Sequence, residues 1–412
     1  MSYIVCEIIF IRKLLLGLLK AYICMFICSD NKSNPSNCNQ GSISASSGLK
    51  SSVSAESGRN KMDTLATEPP IKKAKTDCSV VDTIDYYIEC IKQRKSNLVA
   101  VLQDDLFQPI PLIKIYIGHI RDLKDISKAM AVLSEKIPLK ELSHLKRVRK
   151  RDIVLCPVHF LKGMSSIQEY IESNVEELKD MFEYFKEVDV PFTPPILTSH
   201  FRDCSKLWSC NFHPNKYLEK LVNGNIFNQT ENDDHIKFMT MAFEVAKWYI
   251  GDSQVDLTCL NAAIVVDPIF NSIVAAAFDY RLEHPVQHAA MLAIDNVAKS
   301  QDGGAWGESK AEVRLRGIDE NLLEFLRKKF PGAAFGVKPA FNDRGPYLCT
   351  GYYVYLIREP CLMCSMALVH ARVKRVFFCL QNNSLGGLKS RVKLQTVTSL
   401  NHHFEVFTGF LE

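Results

Sequence analysis

Residues 359–364 read Glu-Pro-Cys-Leu-Met-Cys, and this segment is the strongest indication of how the second half of the chain folds. It lies between an apolar run typical of a buried strand and one typical of a helix. Pro360 suits the first turn of a helix, where its missing N–H costs nothing. Cys361 and Cys364 then share one face of that turn, and the helix N-terminus favours thiolates, the form that binds metal. The spacing therefore indicates a pair of metal ligands, with a redox-active or simply buried cysteine pair as the alternatives.

His288 is the predicted third ligand, because it stands at the start of another predicted helix. Two helix N-termini at the same edge of one sheet bring a histidine and two cysteines together. Such a set binds one zinc ion and leaves the fourth position open. His284, one helical turn earlier, competes with His288 as ligand. A water or an acidic tail group such as Glu412 is a candidate for the open position.

The pattern around these ligands predicts an α/β fold for residues 234–412. The predicted order is α-β-β-α-β-α-β, which gives a mixed sheet covered by helices on both faces, a three-layer αβα domain. Residues 300–346 are rich in glycine and charge and read as an insertion with one helical stretch at 320–329. The predicted helices are 234–250, 287–298 and 361–371, and the predicted strands are 261–267, 272–279, 351–357 and 375–379.

Residues 82–222 are predicted to form a smaller α/β domain in front of it. Strands are predicted at Leu112–Ile120 and Ile153–Val158, and helices at Asp122–Ile137 and Ser165–Phe185. A ferredoxin-like arrangement is one candidate for this β-α-β-α alternation.

A basic run from His144 to Arg151 stands between the helix and the strand of that domain. Five of its six last positions are cationic: Lys146, Arg147, Arg149, Lys150 and Arg151. Such a run can neutralise several phosphates of a nucleic acid with little base readout, which predicts an RNA-binding patch. A solvated linker is the alternative.

Residues 1–81 are predicted to form an apolar and then disordered N-terminal extension. Met1–Cys28 reads as an anchor, a leader or an extension outside the folded body, and charges such as Arg12 and Lys13 argue against a membrane span. Residues 29–61 are too polar to form a core. Pro69–Lys75 is either a linker charge cluster or a weak nuclear-import tag.

Composition narrows the class of protein further. The chain has 412 residues, 47% of them hydrophobic, and a net charge of +4, so it is neither wholly disordered nor coated by a bulk basic field. Its 14 cysteines are too sparse for a disulfide scaffold. We therefore expect a reducing intracellular compartment, the nucleus, the cytoplasm or both.

The site resembles that of the zinc nucleobase deaminases, whose signature is H-x-E followed by P-C-x-x-C. In that family the glutamate moves protons between the zinc-bound water and the base. Here the position is Ala290, so the resemblance implies a zinc site without a catalytic residue. Loss of a general acid/base costs about 10²–10⁴ in rate. Three carboxylates are candidates to replace the missing glutamate, and none of them is favoured: Glu283, Asp295 and Glu359.

Four further stretches are similar to the non-catalytic subunit of the eukaryotic heterodimeric tRNA adenosine deaminase. They are 279–291, 347–361, 367–373 and 400–404. The resemblance implies a cytidine deaminase-like domain with one zinc per chain, a catalytic deaminase subunit as partner, and tRNA as the substrate of the pair. That pair converts adenosine to inosine at the wobble position. Two alternatives remain at this point, an active nucleoside or nucleotide deaminase with a substitute carboxylate and a membrane-tethered zinc-binding interaction protein.

Overall fold

The computed structural model describes residues 79–94, 98–161, 166–251, 256–307, 312–337 and 347–411. The predictions for the first 78 residues, and for Glu412 as a metal ligand, lie outside these residues. Within the described ranges, no helix combines the length and the apolar character that crossing a bilayer requires.

The first half of the chain forms ten elements. In chain order they are α1 (Val80–Gln93), β1 (Val99–Ala100), β2 (Leu112–Ile120), α2 (Ile126–Lys136), β3 (Val148–Arg149), β4 (Asp152–Pro157), α3 (Ile167–Asn174), β5 (Phe182–Pro191), α4 (Thr198–Leu207) and α5 (Lys216–Val222).

Four of these strands form a small antiparallel sheet in the order β3-β4-β2-β5. Helices α2 and α3 bury Ala129, Leu133 and Ile171 against one face, and α4 covers part of the other face together with Trp208. This is the βαββαβ arrangement of a ferredoxin-like domain.

The second half of the chain forms the remaining elements. They are α6 (Gln229–Ile250), β6 (Ala262–Asp267), β7 (Ser272–Phe278), α7 (Ala289–Lys299), α8 (Glu320–Lys329), β8 (Ala334–Phe335), β9 (Tyr353–Arg358), α9 (Leu362–His370), β10 (Arg375–Leu380) and β11 (Glu405–Thr408).

A seven-stranded mixed sheet forms the larger part of the protein, in the order β1-β11-β10-β9-β6-β7-β8. Helices α1, α6 and α8 pack on one face, whereas α7 and α9 pack on the other. The predicted mixed sheet between two helical layers is thereby confirmed.

The boundary predicted for the first domain, 82–222, differs from the structure. Helix α1 buries Ile84 and Ile88 against α6, and β1 pairs with β11 at the far end of the chain. Leu221 of α5 lies in the same core. Because the apolar face of α1 is buried in the core that α6 shares with the larger sheet, these elements belong to that sheet and not to the smaller one. The ferredoxin-like sheet therefore starts at β2.

Two predicted elements also differ. The helix predicted over Ser165–Phe185 ends at Asn174, and Phe182–Pro191 is strand β5. Strand β5 contains Glu183, Lys186 and Glu187, residue types that favour helices in isolation, and pairing with β2 overrides that propensity. The predicted insertion 300–346 contributes α8 to the core and β8 to the sheet edge, so part of it is integral to the domain.

Candidate metal centre

The sheet places the two ligand-bearing helices at one edge. Strands β7 and β9 are both antiparallel to β6, which lies between them, so they run in the same direction. Their carboxyl ends therefore meet at one edge, and α7 and α9 begin there. His288 and Cys361 are the N-cap residues of these helices. This is the juxtaposition that the sequence predicts.

His288, Cys361 and Cys364 form a buried cluster. Their potential ligand atoms all lie within 4.8 Å of one another, and His288 Nδ1 is 3.6 Å from Cys361 Sγ. Each residue is less than 7% exposed. One imidazole and two thiolates are the donor set of several zinc sites, so the chemistry and spacing of these residues fit zinc. His284 is exposed and its Nδ1 accepts a hydrogen bond from the Val286 N–H, which leaves His288 as the histidine of the cluster.

The Cys361 and Cys364 thiols are hydrogen-bonded to each other and shift each other's pKa in opposite directions. The Cys364 thiol and then His288 hydrogen-bond to Cys361 and lower the pKa of its thiol. The same hydrogen bond, together with burial, raises the pKa of Cys364. Both thiols must lose their protons before they bind a divalent cation. Occupancy of the site by the cation is therefore linked to pH.

Asp279 and Arg281 hold the loop that presents His288. One oxygen of the Asp279 carboxylate accepts from the Ala289 N–H at 3.0 Å, at the N-terminus of α7. Both oxygens accept from the Arg281 guanidinium, at 2.7 and 2.6 Å. Burial disfavours the charged guanidinium, but Asp279 and the neighbouring thiols raise the pKa of Arg281 above its usual value. The loop is thus fixed by a buried ion pair beside the cysteines.

Glu359 supports the other half of the site. Its side chain is buried, and its Oε1 accepts from the N–H groups of Leu388, Lys389 and Ser390 at 2.6–3.0 Å. Its Oε2 accepts from the Asn382 N–H and from the Ser390 hydroxyl. The carboxylate thereby fastens the loop 382–390 to the start of α9, where Cys361 forms a bridge with Gly386. Its oxygens are committed to this loop.

Ala290 is buried in the first turn of α7, two positions after His288. The other two candidate carboxylates, Asp295 and Glu283, do not replace the missing glutamate. Asp295 is paired with Lys299 at 3.1 Å and accepts from the Ala305 N–H. Glu283 is exposed in the loop before α7. No carboxylate of the described residues joins the His288, Cys361 and Cys364 cluster.

The basic run 144–151 leads into a β-hairpin: it contributes the first strand, β3, and the tip, and β4 follows directly after it. Arg147 points inward, and its guanidinium donates to the carbonyls of Val154, Ile137 and Leu155. Burial lowers the pKa of Arg147 to about 10, which still leaves it charged at neutral pH. The structure therefore makes Arg147 a part of the fold, contrary to its predicted place in a phosphate-binding patch.

The other four cations are divided between the fold and the surface. Arg149 stacks on Trp208, with its guanidinium carbon 4.2 Å from the ring centre, and donates to the Leu207 carbonyl at 2.6 Å. Lys146, Lys150 and Arg151 are exposed. The exposed charge is thus concentrated at the hairpin tip, where Lys150 adopts a left-handed conformation.

Replacing Arg147 by methionine is expected to lower the free energy of unfolding by about 3 kcal/mol, because three buried carbonyls lose a charged donor. Lys150→Met, a matched removal of one charge from the same hairpin, is expected to change it by less than about 0.5 kcal/mol. Denaturant unfolding of both variants measures the difference. Equal stabilities would show that Arg147 contributes nothing to the fold.

Sequence reasoning missed the groups that hold the ligands in place. Asp279 and Arg281 precede His288 by several residues, and the Asp-x-Arg spacing that allows their bidentate pairing was the available signal. Nothing in the sequence connects Glu359 with the 382–390 loop, since the contact requires β10 to bring that loop back to the start of α9.

Known protein families and relatives agree with this site. Residues 232–380 match the cytidine and deoxycytidylate deaminase zinc-binding region, and all three ligand candidates lie within it. A Danio rerio protein named "probable inactive tRNA-specific adenosine deaminase-like protein 3" is 31% identical, over 76% of this chain and 92% of the relative. The Homo sapiens protein of that name is 30% identical, over 76% of this chain and 89% of the relative.

A plant relative extends the comparison. The Arabidopsis thaliana "tRNA-specific adenosine deaminase TAD3" is 25% identical, over 73% of this chain and 92% of the relative. The likeness to these proteins covers most of their length and therefore includes the ferredoxin-like part as well as the site. The chain therefore belongs to the family of the tRNA-specific adenosine deaminase-like protein 3, whose members named here as "probable inactive" share most of their length with it, and it carries the deaminase zinc-binding region.

Proposed function

We propose that this chain is the zinc-binding, non-catalytic subunit of a heterodimer that converts adenosine to inosine at the tRNA wobble position. One observation carries the proposal: Ala290 stands where a deaminase needs its glutamate, beside a complete set of three ligand residues. A methyl group transfers no proton. The neighbouring carboxylates are committed elsewhere or exposed, which argues against an active deaminase with a substitute base.

One zinc ion per chain, held by His288, Cys361 and Cys364, has a structural role in this proposal. The residues of the chain supply two thiolates and an imidazole, and the ion joins the starts of α7 and α9. A zinc ion with an open position can in general activate water, but here no side chain of the cluster can move a proton to or from a base. The reaction therefore belongs to a partner subunit that bears the glutamate.

The ferredoxin-like part engages the tRNA in this proposal. The exposed cations of its hairpin, Lys146, Lys150 and Arg151, support phosphate contact. None of the described cysteines forms a disulfide, which supports residence in a reducing intracellular compartment, nuclear or cytoplasmic. The membrane-tethered alternative depends on Met1–Cys28, which lies outside the described residues.

The test is inosine formation on a tRNA with adenosine at the wobble position. The chain alone is expected to give no product, and the chain co-expressed with a glutamate-bearing deaminase subunit is expected to give product. The control is a pair in which the partner's catalytic glutamate is replaced by glutamine, which should lose activity. Product from this chain alone, or full activity of the partner without it, would contradict the proposal.

A further inference from the structure

A row of side chains crosses one end of the ferredoxin-like sheet. Asp152, His119 and Tyr184 are register partners on β4, β2 and β5. The His119 Nδ1–H donates to Asp152 at 2.8 Å, and the His119 ring lies flat on the Tyr184 ring, with centroids 4.7 Å apart and planes 6° from parallel. We propose that the Tyr184–His119 stack binds an unpaired base of the tRNA, while the surrounding cations hold the adjacent phosphates. The inference rests on the proposed function and specifies a site for it.

The stack is open to solvent, unlike the rest of the same sheet face. Farther along, Ile117 and Val154 are covered by α4 and Trp208 and are fully buried. Tyr184 is 45% exposed. An aromatic pair kept out of the core and fixed by a carboxylate provides a flat surface whose orientation is set before a ligand arrives, which lowers the entropy cost of binding.

Several cations lie at the same end of the sheet as the stack. The Arg151 carbonyl accepts from the Ile120 N–H and its guanidinium donates to the Arg121 carbonyl, both at 2.9 Å, so the hairpin tip lies beside the end of β2. Lys186 Nζ is 3.9 Å from the Asp152 carboxylate. Arg121, Lys150 and Arg151 are exposed at the same end of the sheet. The Asp152 carboxylate accepts a hydrogen bond from His119 and lies beside the Lys186 ammonium, which offsets its negative charge. It therefore repels a phosphate at the hairpin tip less strongly.

An exposed aromatic ring with cations nearby is the combination of groups by which proteins bind single-stranded nucleic acid. Every base has a flat face, and stacking on an exposed aromatic ring contributes to binding whatever the sequence. Single-stranded loops supply such unstacked bases in RNA, whereas a duplex does not. An acidic peptide would use the cations but would gain little from the ring, which makes the ring the discriminating feature.

The experiment measures binding of wobble-adenosine tRNA to the heterodimer by fluorescence anisotropy over a range of salt concentrations. Tyr184→Ala is expected to weaken binding about tenfold without changing the slope of log K against log salt, because no phosphate contact is lost. Tyr184→Phe keeps the ring and should bind like the wild type. Lys150→Ala should reduce the slope by about 0.7–0.9. Tyr86→Ala, which removes an exposed tyrosine from α1 on the other sheet, is the matched control.

A blunt RNA duplex of similar length separates base stacking from general charge. Tyr184→Ala should bind this duplex as the wild type does. If Tyr184→Ala binds tRNA as tightly as the wild type while the complex still forms inosine, the base site is refuted and the proposed function stands. An equal loss with tRNA and duplex would show that the ring holds the backbone or the fold, and would also refute it. A wild-type complex that does not bind tRNA would overturn both.

Discussion

Replacing Cys361 by serine is expected to abolish zinc binding and to leave the larger domain unable to fold stably. Structural zinc sites contribute on the order of 10 kcal/mol to folding, which is comparable with the whole stability of a domain. Cys361 joins the end of β9 to α9 and lies against His288 at the start of α7, so its loss releases both helices at one sheet edge. Elemental analysis of zinc per chain and thermal unfolding measure the effect. Yield of the complex with the catalytic subunit should fall in parallel.

Cys349 provides the matched control for this substitution. It is buried in the same core as Cys361, and burial raises the pKa of its thiol to about 12, so it remains a neutral thiol. Cys349→Ala should bind one zinc ion per chain like the wild type. Its free energy of unfolding should fall only by the small cost of the cavity that the missing sulfur atom leaves. Loss of zinc from Cys361→Ser with unchanged melting and unchanged partner binding would rule out a structural role for the ion.

Replacing Glu359 by glutamine is expected to lower the free energy of unfolding by about 3–5 kcal/mol, the second largest effect. The carboxylate accepts from five donors of the 382–390 loop, and a glutamine amide offers one acceptor and two N–H groups that face those donors. Leaving buried donors without an acceptor carries a cost of this size. Because the same loop pairs with Cys361, zinc affinity should also weaken, as measured by competition with a chelator.

Glu324→Gln serves as the control, since Glu324 is an exposed glutamate on α8. It should change the unfolding free energy by less than about 0.5 kcal/mol. A Glu359→Gln variant that melts like Glu324→Gln would show that the carboxylate does not fasten the loop. A variant that is destabilised but binds zinc with wild-type affinity would show that the loop and the ligands are independent.

The sequence was sufficient to predict that His288, Cys361 and Cys364 come together, because each occupies a locally determined position. His288 and Cys361 are both N-cap residues and Cys364 lies in the first turn, whereas Pro360 precedes the helix instead of starting its first turn as the sequence predicts. The sheet then brings the starts of α7 and α9 to one edge, because β7 and β9 run in the same direction. Ala290 follows from the spacing to His288. The groups that fix these residues, Glu359 above all, depend on contacts between distant segments and left no local signal.

The basic run shows a different limit. Charge density indicates that a segment carries cations, but the direction of each side chain is set by the hairpin formed by β3 and β4. Arg147 and Arg149 are turned toward carbonyls and Trp208, whereas Lys150 and Arg151 stay at the tip. The His119–Tyr184 stack was equally hidden, because its two rings come from strands whose pairing, and in the case of β5 whose existence, the local pattern does not reveal.

The pairing of β1 with β11 has a consequence for how the protein is made. Val99 pairs with Thr408, so the first strand of the larger sheet leaves the ribosome about 300 residues before β11, its one neighbouring strand among the described residues. At about 5–20 residues per second, β1 waits for roughly 15–60 s. During that interval α1 and β1 lack the strands that complete their core, while β2 to β5 have already emerged and can fold between them. Nascent chains should therefore hold a finished small domain attached to an unfinished large one, with a dependence on chaperones that ends only when the last strand appears.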